Sequence, residues 1–323
     1  MRIGVTGAGG FVGSALVAAL LRPEARQDMP RVTQVVAIDS VLGEFRDPRV
    51  IVIAGDLSDP STIDRMFAEP FDVFIHLAAI PGGAAARDPS LGWAVNVEVT
   101  KALLDRLAAQ RSPARLVFAS SVGVFGVPLP RDKVDDETLP LPTMTYGGHK
   151  LIGETLVADY ARRGLVDGIA LRLPGIIARP RIKGGHLSAY MSDILHAMAA
   201  GEPFVCPVSE AATGWFMSRT TCVDNLIHAA TVDTSRIGRR AFNLPALHLS
   251  MAQLIAGAEA HFGQEAGARL SFQPNAELEA QFGAYPPLYT PIADSLGFRH
   301  DGDAATLVAR ALSLPAHISK GAA

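Results

Sequence analysis

The fold of this chain is decided near its start, by Arg2-Ile3-Gly4-Val5-Thr6-Gly7-Ala8-Gly9-Gly10-Phe11-Val12-Gly13. A short apolar run ends at glycines, and apolar residues at helical spacing follow it. Gly7 permits a tight turn, Gly10 lets the backbone approach a pyrophosphate, and Gly13 lets strand and helix pack closely. The stretch therefore predicts a strand, a turn and a helix that bind the phosphates of a dinucleotide, with Phe11 and Val12 beside them.

Strand-like and helix-like runs alternate along the first half of the chain. Several strand-like runs are apolar throughout, which requires cover on both faces, as in a parallel sheet. This alternation predicts an α/β fold, a doubly wound parallel sheet of the Rossmann type. The predicted strands are 2–6, 34–39, 50–54, 73–79, 116–120 and 168–173, and the predicted helices are 11–21, 61–67 with Ser61 as its cap, 93–109 and 146–163.

The alternation of strand-like and helix-like runs changes after Leu173, where a Pro-Gly pair interrupts it. The helices and strands that follow alternate less regularly. We predict a dinucleotide-binding Rossmann domain over residues 1–174, with returns to it near 219–245. A smaller mixed part over 175–323 is predicted to bind the substrate and to close over the carboxyl edge of the sheet.

The composition argues against several classes of partner. The 323 residues carry a net charge of −3 and no basic block, so no nucleic-acid surface is expected. The two cysteines, Cys206 and Cys222, are too few for a disulfide framework and do not have the spacing of a metal site. They are expected to be small buried hydrophobic residues. No leader or membrane-spanning stretch stands out, so a cytoplasmic protein without metal or membrane contact is expected.

An acidic residue ends the second predicted strand. Asp39 lies 26 residues beyond Gly13, somewhat more than the usual spacing of about 20, and a surface loop over 23–30 would absorb the excess. Its carboxylate would accept hydrogen bonds from the adenosine ribose and would repel a 2′-phosphate, so NAD is predicted as the cofactor rather than NADP. A helix-capping role for Asp39 is the alternative.

Two further strand ends are predicted to contact the cofactor. Asp56 follows the third strand and would face the adenine, with Leu57 against the ring, although capping of the next turn is a close alternative for Asp56. Leu77, Ala78 and Ala79 end the fourth strand, where small residues let a flat cofactor lie against the backbone.

Catalysis is predicted at Tyr146 and Lys150, which share one face of a helix because they are four residues apart. A free tyrosine, with a pKa of ~10, is a poor base at neutral pH, but a neighbouring ammonium favours its phenolate. The pair could then take a hydroxyl proton while hydride leaves the same carbon. Ser121 ends the fifth predicted strand, at the edge where ligands bind, and would orient the reacting oxygen.

In their order along the chain, these motifs resemble those of the extended short-chain dehydrogenase/reductases, the NAD-dependent epimerase/dehydratase family. The resemblance puts the catalytic serine at Ser121 rather than Ser120, four residues before Phe125, where the family usually has a tyrosine. It also implies that Lys150 holds the nicotinamide ribose and that Asn96 lies near the cofactor. It further implies a homodimer, in which the two long predicted helices pack against their copies as a four-helix bundle.

Two departures from the family pattern favour a small substrate. Gly175 and Ser218 stand where nucleotide-sugar epimerases usually carry an Asn and an Arg that grip the substrate phosphates. The segments 172–180, 206–209 and 223–229 resemble D-erythronate dehydrogenases, which oxidise C2 of a four-carbon sugar acid. This likeness covers most of the chain and is weakest after about Ala246.

A sugar acid needs a cation to bind its carboxylate, and a guanidinium can bind it through two hydrogen bonds. For each candidate cation, named below, the alternative is a solvated charge on a loop. Two large apolar residues, Trp215 and Phe216, would either line the pocket or belong to the core. The candidates are Arg179, Arg181 and Arg219, with Lys183 and His186 behind them.

Three functions follow from these patterns. The first is an NAD-dependent dehydrogenase of a small sugar acid, with Tyr146, Lys150 and Ser121 at its centre. The second is a nucleotide-sugar epimerase or dehydratase with tightly bound NAD. The third is a non-catalytic NAD sensor on the same fold, against which the full catalytic set argues.

Overall fold

The computed structural model of the chain describes residues 1–22, 29–181 and 187–313. Its strands are β1 (Arg2–Thr6), β2 (Gln34–Asp39), β3 (Val50–Ala54), β4 (Val73–His76), β5 (Arg115–Ser121), β6 (Asp167–Leu173), β7 (Gly175–Ile176), β8 (Phe204–Cys206), β9 (Thr213–Met217), β10 (Ala241–Asn243), β11 (Leu247–Ser250) and β12 (Leu270–Phe272). Its α-helices are α1 (Phe11–Leu20), α2 (Pro60–Met66), α3 (Gly82–Arg87), α4 (Pro89–Trp93), α5 (Val99–Ala108), α6 (Thr145–Arg162), α7 (Tyr190–Ala200), α8 (Arg219–Ala229), α9 (Met251–Phe262), α10 (Ala276–Phe282), α11 (Pro291–Ser295) and α12 (Ala304–Leu312).

The main sheet has seven strands in the order β10-β6-β5-β4-β1-β2-β3. All of its neighbouring strands run parallel. The order reverses at β1, which pairs with β2 on one side and with β4 on the other. Chain segments that leave a sheet at such a point diverge and open a crevice at the carboxyl ends of the strands. The predicted doubly wound Rossmann sheet is thus confirmed.

Apolar side chains cover both faces of this sheet, as the uniformly apolar strands require, except at the edge strand β3, where Ile51 and Val52 are exposed. On one face Val5 of β1 belongs to the same buried cluster as Leu226 of α8. On the other, Ile38 of β2 shares a cluster with Leu103 of α5 and Val157 of α6. The second cluster fixes α6, the helix that carries Tyr146 and Lys150, against the sheet.

The helix predicted over 93–109 is divided in the structure. A π-helical turn over Ala94–Glu98 lies between α4 and α5. In this turn the buried side chain of Asn96 accepts a hydrogen bond from the backbone N–H of Ile80 at 2.7 Å and donates one to its carbonyl at 2.9 Å. Local insertions of this kind are frequent at functional sites, and apolar periodicity alone does not reveal them.

The helix predicted over 61–67 begins one residue earlier, and its cap is Asp59 rather than Ser61. The Asp59 side chain accepts a hydrogen bond from the N–H of Ser61 at 2.9 Å. Pro60 occupies the first helical position, where its missing N–H is not needed. The proline therefore moves the start of the helix by one residue.

The second part of the chain is mixed, and two of its elements return to the main sheet. β10 pairs with β6 as the last strand of that sheet, and α8 packs on the same face as α1. The other strands form a three-stranded sheet, β11-β9-β7, and a two-stranded sheet, β12-β8. Within the described ranges, no helix has the length and apolar character needed to cross a membrane.

Candidate active site

A cleft of about 700 Å³ opens at the carboxyl ends of the main-sheet strands. The turn after β1 forms one wall, the end of β5 with the start of α6 forms another, and the second part of the chain forms the third. The lining residues that matter below are Gly7, Gly10, Phe11, Val12, Gly13, Leu77, Ala79, Ser121, Tyr146, Lys150, Gly175, Arg179, Trp215 and Tyr285.

The glycine turn has the geometry that a phosphate site requires. Gly7 has a φ of +71°, a left-handed conformation that strongly favours glycine. A Cβ at Gly13 would lie only 2.0 Å from the carbonyl oxygen of Gly7, so no other residue fits there. α1 begins at Phe11, and its N-cap, Gly10, provides no side-chain hydrogen bond. The N–H groups of the first helical turn are thus available to an anion.

Asp39 lies directly beside this turn. One carboxylate oxygen accepts a hydrogen bond from the Gly9 N–H at 3.0 Å, and the other accepts one from the Val41 N–H at 3.4 Å. The negative charge is therefore held at the edge of the glycine turn. A ribose placed there could donate its hydroxyl hydrogens to Asp39, whereas a 2′-phosphate would be repelled. The helix-capping alternative does not apply, because the next regular element after Asp39 is the strand β3 and not a helix.

Two residues predicted to contact adenine have other contacts in the structure. A side-chain oxygen of Asp56 accepts a hydrogen bond from the Ser58 N–H at 2.8 Å, so the turn-capping alternative describes its observed contact. Leu57 is buried in the core cluster beneath α5 and α6. Neither of them lines the cleft.

The end of β4 contributes small residues to the cleft. Leu77 and Ala79 line it, and the N–H of Ala78 donates to Thr6 Oγ1 at 3.3 Å. Asn96 lies one layer behind, where it holds the backbone of Ile80 through two hydrogen bonds. Asn96 therefore positions the segment after β4 and does not line the cleft itself.

The start of α6 brings Tyr146 and Lys150 to the end of β5. A Cβ at Gly147 would lie 2.0 Å from the carbonyl oxygen of Gly123, so glycine is needed for this close approach. The Lys150 ammonium donates to the carbonyl of Ala119 at 2.7 Å, and its nitrogen lies 5.6 Å from the centre of the Tyr146 ring. The two side chains therefore enter the cleft from one helical face.

The two serines at the end of β5 point to different places. Both border the cleft, and the hydroxyl oxygen of Ser121 accepts a hydrogen bond from the Gly123 N–H at 3.0 Å. Ser120 is buried and donates to Glu154 at 2.6 Å. This is the alternation of a strand, and it puts Ser121, the predicted catalytic serine, beside Tyr146.

Burial and neighbouring charges act in opposite directions on Tyr146 and Lys150. Burial raises the pKa of Tyr146 to about 12, against the lowering effects of the Ser121 hydroxyl and the positive charge of Arg179. Burial lowers the pKa of Lys150 to about 7, against the raising effect of Glu154. The structure thus identifies Arg179 as a cation that acts on the phenol. The predicted lowering of the Tyr146 pKa by Lys150 stays a prediction.

A buried ion pair lies behind the catalytic helix and was not predicted. Arg172 of β6 donates to both carboxylate oxygens of Glu154, at 2.9 and 2.8 Å, and Ser120 donates to one of them. The side chains of Arg172 and Glu154 are only 5% and 4% exposed. Because Glu154 follows Lys150 by one helical turn, the pair fixes β5, β6 and α6 to one another at the site.

The structure distinguishes the arginines that were predicted as candidates to bind the substrate carboxylate. Arg179 lines the cleft, and its guanidinium has no hydrogen bond or ion pair among the described residues. Arg219 is buried, with its guanidinium 4.8 Å from the centre of the Phe11 ring, and does not line the cleft. Arg181 pairs with Glu202 at 2.6 Å. The remaining candidates, Lys183 and His186, lie outside the described residues, as does most of the loop predicted over 23–30.

Backbone geometry directs Arg179 into the cleft. Ala178, just before it, has a φ of +57°, which costs a non-glycine residue on the order of 1 kcal/mol. Pro180, just after it, restricts Arg179 to extended conformations. A strained residue and a proline thus hold Arg179 between them, and strain of this kind is found mainly at functional sites.

The outer wall of the cleft was only partly predicted. Trp215 lines it while its Nε1 donates to the carbonyl of Pro286 at 2.7 Å, whereas Phe216 is buried in the core of the second part. Tyr285 also lines the cleft, with its ring 4.7 Å from that of Trp215. A Cβ at Gly175 would lie 2.9 Å from the Trp215 carbonyl, so the Asn found there in epimerases does not fit without a shift.

No group of three or more His, Cys, Asp or Glu side chains within residues 1–22, 29–181 and 187–313 could hold a metal ion. Cys206 and Cys222 are both buried and unpaired.

The residues present do fit a dinucleotide, because the glycine turn leaves room and free N–H groups for phosphates and Asp39 provides an acceptor beside it. Leu77 and Ala79 form a small-residue wall for the rest of the cofactor.

Comparison with known proteins agrees with this geometry. The model of the NAD dependent epimerase/dehydratase family matches residues 3–215. The chain belongs to this family, and it is an NAD-dependent dehydrogenase of the extended short-chain dehydrogenase/reductase type.

Individual relatives and a solved structure show similarity over most of the chain. The chain is 34% identical to D-erythronate dehydrogenase of Cupriavidus necator, over 93% of this chain and 94% of that protein. It is 32% identical to D-erythronate dehydrogenase of Haemophilus influenzae, over 94% of this chain and 96% of that one. Among solved structures, that of a nucleoside-diphosphate-sugar epimerase from Agrobacterium tumefaciens matches with a TM-score of 0.88 and 32% identity, over 95% of this chain and 92% of that chain.

Proposed function

We propose that this protein oxidises the C2 hydroxyl of a small sugar acid, D-erythronate or a close relative, to the 2-oxo acid. The observation that carries the proposal is Arg179, a partly buried guanidinium with no ion pair among the described residues, in the same cleft as Tyr146 and Ser121. Burial lowers the pKa of Arg179, against the raising effects of Tyr146 and Asp193. A carboxylate bound directly to the guanidinium would add the negative charge that offsets this burial. The two D-erythronate dehydrogenases named above support the same substrate class.

The roles of the side chains follow from their positions. Arg179 would hold the substrate carboxylate, Ser121 would hold the C2 oxygen, and Tyr146 would take the hydroxyl proton. Lys150 would bind the nicotinamide ribose, and its positive charge would favour the Tyr146 phenolate. Bound NAD supplies the acceptor for the hydride that leaves C2. One proton and one hydride leave the substrate, which balances the conversion of an alcohol to a ketone.

We further propose that residues 1–174, with the returns at α8 and β10, bind NAD and that the rest of 175–323 binds the substrate. Gly7, Gly10, Phe11, Val12 and Gly13 would hold the pyrophosphate, and Asp39 the adenosine ribose. The homodimer through α6 and the helical segment 89–108 remains a proposal. Light scattering at micromolar protein should give twice the monomer mass, and a monomer there would refute it.

The test of the proposed function uses purified protein with NAD and a panel of four- to six-carbon aldonates, with absorbance read at the NADH band. We expect NADH to form with D-erythronate or a close relative, and Tyr146→Phe to lose turnover. Arg179→Gln should lower kcat/KM roughly 10- to 150-fold, since hydrogen bonds to charged groups contribute about 1.5–3 kcal/mol. Arg181→Gln is the matched control, because its guanidinium pairs with Glu202, and it should change kcat/KM little.

A nucleotide-sugar epimerase is the second candidate, supported by the Agrobacterium tumefaciens structure. Two features weigh against it. Ser218, at the place of the phosphate-gripping Arg, is fully buried and donates to Asp301 at 2.6 Å. A larger side chain at position 175 would require a shift, because its Cβ would lie 2.9 Å from the Trp215 carbonyl oxygen. Absence of NADH with every aldonate, together with saturable binding of a UDP- or dTDP-sugar, would decide for the epimerase.

A further inference from the structure

Tyr285 differs from the other enclosed tyrosines in its hydrogen bonding. The hydroxyl of Tyr190 donates to the Phe282 carbonyl at 3.0 Å, that of Tyr160 bonds to Asp105, and Tyr146 has Ser121 beside it. The Tyr285 hydroxyl has no hydrogen-bond partner among the described residues, although the ring lines the cleft. This hydroxyl is not among the fully buried unpartnered atoms of the described residues, so it can be reached from the cleft and is available to a bound molecule.

Tyr285 is also held rigidly. Its N–H donates to Thr213 Oγ1 at 3.0 Å, and its carbonyl accepts from that same hydroxyl at 2.8 Å and from His248 Nε2 at 2.7 Å. The ring meets Trp215 edge to face, at 4.7 Å and 60°. A side chain fixed at its backbone and along its ring loses little conformational entropy when it binds a ligand.

This phenol is protonated at neutral pH, as an ordinary tyrosine is, and burial strengthens that preference. It raises the pKa of Tyr285 to about 12, so at neutral pH the group is a neutral hydroxyl that can donate and accept. It is suited to another hydroxyl group rather than to a carboxylate, for which Arg179 is present in the same cleft. Trp215, which also lines the cleft, is an apolar neighbour for the C–H side of a carbon chain.

We infer that Tyr285 is a specificity-determining residue, whose hydroxyl binds a substrate hydroxyl on a carbon beyond the one that is oxidised. This assignment rests on the proposed function, since it concerns the same substrate. Together with Trp215, Tyr285 selects polyhydroxylated acids over 2-hydroxy acids that have a plain alkyl chain. A site built to pair with a hydroxyl rejects an analogue without one, because its own polar group is then left unpaired.

The test compares D-erythronate with 2-hydroxybutanoate, which has the same carbon chain but lacks the hydroxyls at C3 and C4. Tyr285→Phe keeps the ring against Trp215 and removes only the hydroxyl. We expect the ratio of kcat/KM for erythronate to that for 2-hydroxybutanoate to fall about three- to tenfold in Tyr285→Phe, through erythronate alone. Values for 2-hydroxybutanoate should stay within twofold of those of the unsubstituted protein.

Two control variants separate this role from a structural one. Tyr289→Phe removes an exposed hydroxyl, on a residue that is 57% exposed, and should change neither value. Tyr190→Phe removes a hydroxyl that is bonded within the protein, and should lower the thermal midpoint while leaving the ratio unchanged. A Tyr285→Phe variant that keeps the ratio, or loses both substrates equally, would overturn the assignment. If the unsubstituted protein oxidises no hydroxy acid at all, the proposed function fails first, and the assignment fails with it.

Discussion

Replacing Glu154 with Gln should destabilise the protein substantially and should also change its pH profile. The substitution keeps the size of the side chain but removes the charge that neutralises Arg172. Both side chains are almost completely buried, and one nitrogen of Arg172, Nη1, already lacks a hydrogen-bond partner among the described residues. Arg172 would then be a buried cation without its carboxylate.

The magnitude follows from this geometry. Breaking a buried ion pair by removing one partner costs about 3–5 kcal/mol, because the remaining charge stays desolvated. An unfolding entropy of about 2.1 cal/mol/K per residue gives roughly 0.7 kcal/mol/K for 323 residues, so the midpoint should fall by ~4–7 °C. Glu137→Gln is the matched control, because Glu137 pairs with Arg239 at the surface and is 79% exposed, and such pairs contribute little.

Calorimetry measures the change in stability, and a pH series of kcat/KM measures the change in the pH profile. Glu154 raises the pKa of Lys150, which burial otherwise lowers. Without that carboxylate the pKa of Lys150 falls further, and its protonated form is lost at lower pH. The alkaline limb of the profile should therefore move toward acid in Glu154→Gln. Replacing both partners, with Glu154→Leu and Arg172→Met, should recover most of the stability. A midpoint lowered by less than 1 °C, or a double variant no better than the single one, would refute the reasoning.

Three other perturbations probe the cofactor site and the sheet. A Cβ at Gly10 would lie 3.2 Å from the Gly7 carbonyl, so Gly10→Ala should fold but bind NAD at least roughly tenfold more weakly, which is about 1.4 kcal/mol. Titration calorimetry would check this against Gly148→Ala, where nothing lies within 4 Å of the added methyl; equal affinities would contradict it. Asp39→Asn should reduce the preference for NAD over NADP in kcat/KM, and an unchanged preference would show that Asp39 does not face the ribose. Burial lowers the pKa of His76 to about 3, so between pH 6.5 and 3 the unfolded chain binds more protons than the folded one. As the pH is lowered through this range, the free energy of unfolding should decrease by up to ~1.4 kcal/mol per pH unit. Histidine NMR that shows His76 titrating near 6.5 would contradict this.

Features that depend on local spacing could be predicted from the sequence. The glycine turn needs only the order of residues 7–13, and the pairing of Tyr146 with Lys150 needs only one helical turn. The family motif likewise separates Ser121 from Ser120, and the alternation of side chains along β5 agrees with that choice. In each case the residues that act together are neighbours in the chain, so their geometry is set by secondary structure.

Features that depend on the packing of distant segments could not be predicted in this way. The sequence offers Arg179 and Arg219 as equal cations, and only the tertiary structure shows one in the cleft and the other against Phe11. The partner of Glu154 is a residue of β6, 18 positions away, and neither has a recognisable motif. Tyr285 lies beyond the segment where the family likeness is strongest, and its role depends on contacts with Thr213 and Trp215.

The return of β10 to the main sheet has a consequence for how this chain can be divided. A fragment that stopped at residue 174 would lose β10, one of the two strands that pair with β6. Ala170 and Arg172 of β6 pair with Ala241 and Asn243 of β10. β6 would become an edge strand with unpaired N–H and C=O groups and apolar side chains, which is a template for aggregation. Residues 1–174 are therefore not expected to form a stable soluble unit on their own. An exchange of segments between residues 175 and 313 with those of a related chain should therefore leave β10 in place.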